Sequence, residues 1–137
     1  PEPPDLKRML QIRAMDLLRP LEPPDLERVA QRVQQRGLRT GDILCTQGQA
    51  GDEVFLVLDG ELVVLRDGVE VNRCGPGAVI GELAVLSPGP RAATVMAEAE
   101  ATVLGLSGVA FRDLLRSQPQ VSEGVLAQLA RRLQARG

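Results

Sequence analysis

The chain has 137 residues, which suits one domain with a hydrophobic core better than two. Apolar residues make up 44% of it, and no apolar run approaches the ~18 residues that a membrane span requires. A formal net charge of -2, with no Trp, no Tyr and two Phe, argues against nucleic-acid binding by the chain itself.

The N-terminal part predicts two helices separated by proline-rich turns. The opening PEPPD indicates an extended lead-in, and the start without Met suggests a fragment of a longer protein. A first helix is expected from about Leu6 to Leu18. The stretch LEPPDLERVAQRV then predicts a second helix, with Pro23 or Pro24 in its first turn. One face of this helix should be buried, because its apolar residues follow helical spacing: Leu26, Val29, Ala30 and Val33.

Residues 38–106 predict a series of short β-strands. Apolar runs alternate there with turns rich in Gly, Pro, Asp and Asn. The expected strands are ILCT, VFLVL, ELVVL, VEVN, ATVMA and ATVLGL. Asp59-Gly60 and Asp67-Gly68 are expected to form hairpin turns, because Asp and Gly tolerate the positive φ of a tight turn. Strands at this density favour a small barrel or jelly roll.

Residues 107–137 return to helical periodicity. VAFRDLLRS predicts a short helix, Pro119 should break it, and the remainder to Arg136 predicts a last helix. That helix has an apolar stripe: Val125, Leu126, Leu129 and Leu133. The expected fold class is α+β, an antiparallel, jelly-roll-like β-roll flanked by N-terminal helices in residues 1–37 and C-terminal helices in residues 107–137.

The residue types that the chain lacks limit its chemistry. Without His there is no Ser-His-Asp or Cys-His catalytic system, and the usual nitrogen ligands of zinc and iron are missing. Enzymes of the cupin type share a β-roll but hold their metal through His and Glu, so that reading is disfavoured. Cys45 and Cys74 are expected to be reduced, buried thiols. We expect no catalytic residue, no metal and no cofactor.

The stretch from Gly75 to Val95 is the candidate site. GPG and SPGP each predict a tight turn, and GELAVL between them can form one helical turn whose N–H groups converge on an anion. Arg91, at the head of the next strand, can make a bidentate contact to that anion, and Glu82 can accept from neighbouring hydroxyl groups. This set suits a sugar phosphate. Taken alone, the two residues also fit a helix N-terminus and an ordinary surface arginine.

The string IGELAVLSPGPRAATV, residues 80–95, resembles the phosphate-binding cassette of the cyclic nucleotide-binding domain family. That family includes catabolite-activator-type regulators, protein kinase A regulatory subunits and nucleotide-gated channels. Residues 47–64, QGQAGDEVFLVLDGELVV, are similar to its Gly, Gly-Asp, Gly strand and turn pattern. The resemblance covers about Leu10 to Leu133 and implies one domain over residues 1–137, with the β-roll in residues 38–106.

The resemblance implies how the cassette would hold a ligand. Arg91 would pair with the cyclic phosphate, helped by the backbone N–H groups of Ala84 and Ala92. Glu82 would accept from the ribose 2′-hydroxyl, with the Gly81 carbonyl nearby.

The resemblance also implies a wall and a cover for the base. Leu83 would pack beneath the ligand, and Ala93 and Thr94 would continue the cassette. Val64 and Val71 lie at strand positions that wall the base pocket in this family, and both also suit plain core valines. Three residues of the last helix are candidates for a lid over the base: Leu129, Arg132 and Leu133.

The implied function is regulatory and not enzymatic. The chain would bind cyclic AMP and transmit occupancy to a fused or attached effector; the alternative is an interaction module of this family that has lost its ligand. Cyclic GMP is less expected, because selective members often carry Thr directly after the cassette Arg, where this chain has Ala92. We expect a cytoplasmic domain, or the cytosolic part of a membrane protein, without direct nucleic-acid or membrane contact. A homodimer is left open.

Overall fold

The computed structural model describes residues 21–81, 89–124 and 127, which form helices before and after a run of strands. Helix α1 comprises Pro23–Arg32. The strands are β1 Gln34–Leu38, β2 Ile43–Cys45, β3 Glu53–Asp59, β4 Leu62–Arg66, β5 Val69–Cys74, β6 Val79–Ile80, β7 Thr94–Ala97 and β8 Ala101–Ser107. Helix α2 comprises Gly108–Ser117, and residues 119–124 are also helical. The expected helix from Leu6 to Leu18 lies outside the described residues.

The described strands form two four-stranded antiparallel sheets, in the orders β1-β8-β3-β6 and β2-β7-β4-β5. Alternate side chains of a strand point to opposite faces, so each sheet can direct one apolar set into a shared core. Buried side chains from both sheets form a hydrophobic core, which we call the core cluster: Cys45, Phe55, Val57, Leu62, Cys74, Ile80, Val95, Ala97, Ala101 and Val103. Cys45 and Cys74 are free, buried thiols within it. The architecture is the predicted α+β antiparallel roll.

The two Asp-Gly turns differ, and only one is a hairpin. Asp67 and Gly68, with φ of 52° and 79°, join the paired strands β4 and β5 as predicted. The hairpin prediction for Asp59-Gly60 is wrong, because β3 pairs with β6 and β8 whereas β4 pairs with β5 and β7. Gly60, at φ 89°, instead carries the chain from one sheet to the other. Turn residues fix the local backbone but not the partner of the next strand.

The sequence predicts neither β1 nor β6. Residues 34–37 fall in the range expected to be helical, and that assignment is wrong. The β1 sequence QQRGL has no apolar alternation, yet it is a strand because it pairs along its whole length with β8, from Gln34↔Gly105 to Leu38↔Ala101. Strand β6 has two residues, paired with Phe55 and Leu56 of β3, and is too short to show a periodicity.

The chain divides into two compact units, one of residues 33–108 with the strands and one of the helical residues through 32 and from 109. The expected apolar residues of α1 are buried, which confirms that prediction: Leu26, Val29 and Ala30. Val33, predicted to be the last residue of this face, is also buried but follows the end of the helix. Arg32 Nη1 donates to Asp113 Oδ2 at 3.3 Å and connects α1 with α2. Helix α2 ends just before Pro119, as predicted, and the Gln118 carbonyl accepts from the Val121 N–H at 3.0 Å. Val121 is fully buried.

Candidate functional site

Arg91 is the one charged side chain that is buried among the described residues, with 8% of its surface exposed. Its Nη2 donates to the backbone carbonyl of Glu53 at 2.9 Å, and its Nη1 donates to the carbonyl of Gly81 at 3.5 Å. A guanidinium carries five N–H donors, and these two carbonyls account for two of them. Carbonyl oxygens solvate the cation but do not neutralise its charge. A buried cation held in this way favours an anion beside it.

The backbone of Arg91 is fixed by the loop before β3. The N–H of Arg91 donates to the carbonyl of Gln49, and the N–H of Gly48 donates to the carbonyl of Arg91, both at 2.9 Å. Ala50 and Pro90 form an antiparallel bridge next to this pair. Two segments that lie far apart in the sequence therefore run side by side. We call residues 46–51 the facing loop.

Two glycines leave room for the Arg91 guanidinium. A Cβ on Gly51 would lie 2.6 Å from Nη2 and 2.7 Å from Cζ of Arg91, well inside van der Waals contact. A Cβ on Gly81 would overlap Nη1 of Arg91 and lie 2.8 Å from the Glu53 carbonyl oxygen. Gly81 also has a φ of 89°, which favours glycine. The Arg91 guanidinium thus lies close to the backbone at both glycines.

Gln47 connects the facing loop to two other parts of the roll. Its backbone N–H donates to Oγ1 of Thr94, the first residue of β7, at 3.0 Å. Its side-chain amide makes two bonds to Asp67 in the β4–β5 turn. Nε2 donates to Asp67 Oδ1 and Oε1 accepts from the Asp67 N–H, each at 2.8 Å.

The structure describes only part of the predicted cassette. Gly81 follows β6 directly and contacts Arg91, so these two predicted residues are brought together. Ala92 is exposed and Ala93 half-buried; β7 begins at Thr94 rather than at Arg91, because residues 91–93 are not paired in a strand. Six predicted residues lie outside the described ranges: Glu82, Leu83, Ala84, Leu129, Arg132 and Leu133.

The two valines predicted to wall a base differ in their surroundings. Val64 is half-buried, packs against the core cluster and pairs in register with Val95 of β7. Val71 lies on β5, at the edge of its sheet, and is 46% exposed. The β4–β5 register shifts between Val64 and Leu65, opposite Val71. Val64 therefore lies beside the strand that continues the cassette, while Val71 faces outward enough to contact a ligand or solvent.

Cys45 lies close enough to Arg91 to feel its charge. Burial raises the pKa of the Cys45 thiol, and the positive charge of Arg91 offsets part of that rise. The thiol therefore stays protonated near neutral pH, and a protonated thiol is a poor nucleophile. Within the part of the chain that the structure describes, no group of three His, Cys, Asp or Glu side chains is arranged to hold a metal ion.

Sequence reasoning missed three residues that shape the surroundings of Arg91. Gln47, Gly51 and Glu53 all belong to the string QGQAGDEVFLVLDGELVV, but no role was assigned to them. The signal in the sequence is Gly51-Asp52 directly before an apolar strand, because a glycine there indicates a turn whose backbone approaches another part of the chain closely. What it comes close to depends on a segment some forty positions later.

The comparison with protein families decides which family this site belongs to. The sequence model described as "Cyclic nucleotide-binding domain" matches residues 35–118, which is more than half of the chain. The chain belongs to the cyclic nucleotide-binding domain family. The resemblance inferred from residues 80–95 is confirmed.

Similar proteins include a kinase regulatory subunit and a potassium channel. The chain is 40% identical over 87 residues to a cAMP-dependent protein kinase regulatory subunit of Yarrowia lipolytica, a match that covers 64% of this chain and 23% of that protein. It is 34% identical over 113 residues to a cyclic nucleotide-gated potassium channel of Mesorhizobium japonicum, covering 82% and 31%. The chain thus spans less than a third of the length of these relatives.

A solved structure of cAMP-bound PfPKA-R has the same fold. It superposes with a TM-score of 0.81 at 27% identity, covering 93% of this chain and 44% of that one. The antiparallel roll and its flanking helices are therefore those of cyclic nucleotide-binding domains. Within the described residues, no helix is long and apolar enough to cross a membrane.

Proposed function

We propose that this chain is a regulatory domain that binds cyclic AMP through Arg91 and transmits occupancy to a fused or attached effector. The observation that carries the proposal is the buried Arg91, whose described hydrogen bonds go to the carbonyls of Glu53 and Gly81. Those bonds hold the guanidinium in place through neutral oxygens, and a buried positive charge so held favours a negatively charged ligand. A cyclic phosphate carries one negative charge and two exposed oxygens, which match the planar fork of arginine.

The rest of the proposed site follows from the cassette. Glu82 accepts from the ribose 2′-hydroxyl, Val64 and Val71 contact the base, and the last helix covers it. Cyclic AMP is preferred to cyclic GMP, because Ala92 offers no hydroxyl to the guanine amino group. The similarity to a kinase regulatory subunit and to a nucleotide-gated channel supports a regulatory rather than a catalytic role.

The proposal is tested by calorimetry and thermal shift with cyclic AMP, cyclic GMP and AMP. Cyclic AMP should bind most tightly and raise the melting temperature. Arg91→Ala should reduce its affinity by several hundred-fold, since removing a partly buried ionic partner costs ~3 to 5 kcal/mol. Arg91→Lys should retain part of the affinity, because it keeps the charge but lacks the bidentate fork.

Because Arg91 is buried, its variants need a check of folding and a matched control. Urea unfolding shows whether each variant is folded at the temperature of the binding experiment. Arg39→Ala removes an exposed arginine and should leave the affinity unchanged. If folded Arg91→Ala binds cyclic AMP within about threefold of the parent, Arg91 is not the phosphate ligand. A parent chain that none of the nucleotides stabilises would instead be a member of the family that has lost its ligand.

A further inference from the structure

The strongest observation that the proposed function does not use is the pair of hydrogen bonds between Gln47 and Asp67. The Gln47 amide donates to the Asp67 carboxylate and accepts from the Asp67 N–H, each at 2.8 Å. Only one orientation of the amide satisfies both bonds, because the donor must face the carboxylate and the acceptor must face the N–H. The Gln47 side chain is therefore held to one geometry. We call this pair the Gln47 clamp.

The Gln47 clamp joins two segments that approach the proposed ligand from different sides. Asp67 lies in the turn between β4 and β5, the strands that carry Val64 and Val71. Gln47 lies in the facing loop, whose backbone pairs with that of Arg91. The Gln47 N–H also bonds Thr94, so the clamp reaches β7 as well.

We infer that Gln47 is a positioning residue that sets the spacing between the base side and the phosphate side of the nucleotide site. This inference rests on the proposed function. A rigid ligand such as a cyclic nucleotide binds tightly only when both sides of its site stand at the distance that the ligand spans. Without the Gln47 clamp, fewer contacts hold the β4–β5 hairpin to the facing loop. Fixing the hairpin in place when the nucleotide binds then costs free energy, and the affinity for the nucleotide falls.

A set of exchange variants tests the clamp directly. Gln47→Glu places a carboxylate against the Asp67 carboxylate, and Gln47→Leu removes both hydrogen bonds without adding charge. Each should weaken cyclic AMP binding by about fivefold to tenfold, as expected for one or two modest hydrogen bonds. Asp67→Asn alone should bind within about twofold of the parent, since Asn tolerates the positive φ at this turn and can still accept from Gln47.

The informative variant is the double exchange Gln47→Glu with Asp67→Asn. It keeps the net charge of the parent pair and reverses the hydrogen bond, because the amide introduced in the β4–β5 turn can donate to the carboxylate introduced in the facing loop. This double variant should regain most of the affinity. Gln47→Leu with Asp67→Asn should not, because Leu cannot take part in either bond. Dissociation constants are measured by calorimetry at a temperature where urea unfolding shows every variant to be folded.

Each outcome bears on the inference. The inference is supported if both Gln47→Glu and Gln47→Leu weaken cyclic AMP binding and Asp67→Asn restores the affinity of the Glu variant but not of the Leu variant. If the parent binds cyclic AMP and both single variants bind equally well, the clamp does not position the site, and the proposed function stands. If only the Glu variant is weakened, the effect is charge repulsion and the inference is overturned. If Asp67→Asn fails to restore the Glu variant, re-forming the hydrogen bond between the two positions does not restore the site, and the inference is overturned as well. A parent that binds no cyclic nucleotide overturns the proposed function together with this inference.

Discussion

Replacing Gly51 by alanine should displace the Arg91 guanidinium without removing any charged group. The new Cβ would lie 2.6 Å from Nη2 and 2.7 Å from Cζ of Arg91, whereas ordinary contacts begin near 3.4 Å. The guanidinium must therefore retreat by at least about 0.8 Å from the facing loop. That movement stretches the bond from Nη2 to the Glu53 carbonyl, now 2.9 Å, beyond useful hydrogen-bond length.

The size of the effect follows from the bond that is lost. A hydrogen bond made by a charged group is worth about 1.5 to 3 kcal/mol, so the free energy of unfolding should fall by up to that amount. If the same shift misaligns Arg91 with the phosphate, affinity for cyclic AMP should fall by about tenfold to a hundredfold. Urea unfolding gives the first quantity and calorimetry gives the second.

Gly37→Ala is the matched control for this experiment. Gly37 lies in β1 and does not have a positive φ, and a Cβ added to it would meet no heavy atom within 4 Å. The same substitution there should leave both stability and affinity nearly unchanged. If Gly51→Ala binds cyclic AMP as tightly as Gly37→Ala while Arg91→Ala does not bind, the guanidinium does not depend on Gly51, and the steric argument is refuted.

Three further predictions concern specificity, ionisation and the C-terminal segment. Ala92→Thr should improve cyclic GMP binding by up to about tenfold, the worth of one hydrogen bond; calorimetry showing cyclic GMP already tighter in the parent would contradict it. Burial raises the pKa of the Cys45 thiol above its ordinary 9.0, so the stability that the protonated thiol contributes is full below pH 9.0 and is lost as the pH rises further. In urea unfolding from pH 7 to 10, the free energy of unfolding should therefore fall less in Cys45→Ala than in the parent. Removing residues 125–137, which spares the buried Val121, should weaken cyclic AMP binding by about 1 to 3 kcal/mol, and equal affinity would exclude a lid.

The sequence predicts most strands but not how they pair. Asp59-Gly60 and Asp67-Gly68 carry the same local signal, yet one changes sheets and the other closes a hairpin. The difference lies in the partners of β3, which are β6 and β8, both farther along the chain than β4. Strand β1 shows the same limit, since QQRGL becomes a strand through its pairing with β8 and not through its own pattern. Local propensity is therefore informative on element type, while pairing is decided by distant residues.

Some residues of the candidate site can likewise be predicted from the sequence, and others cannot. Arg91 and Gly81 could be predicted because both belong to one short string with a recognisable order of residue types. Gly51 and Gln47 could not be given roles, because each acts on a side chain or turn that is brought near only by the fold. A glycine that makes room for a distant guanidinium has the same sequence signature as a glycine in any turn.

Glu53 contacts two arginines through different groups, its carboxylate and its backbone carbonyl. Its carboxylate pairs with Arg36 at 2.9 Å, while its backbone carbonyl accepts from Arg91 at the same distance. Gly105 makes room for that arrangement, because a Cβ there would overlap the Glu53 carboxylate. Arg36 thus engages the negative charge, and Arg91 receives only a neutral oxygen from the same residue. A cation that binds an anion has to be held in place, and the neutral Glu53 carbonyl does so for Arg91 while the Glu53 carboxylate is paired with Arg36.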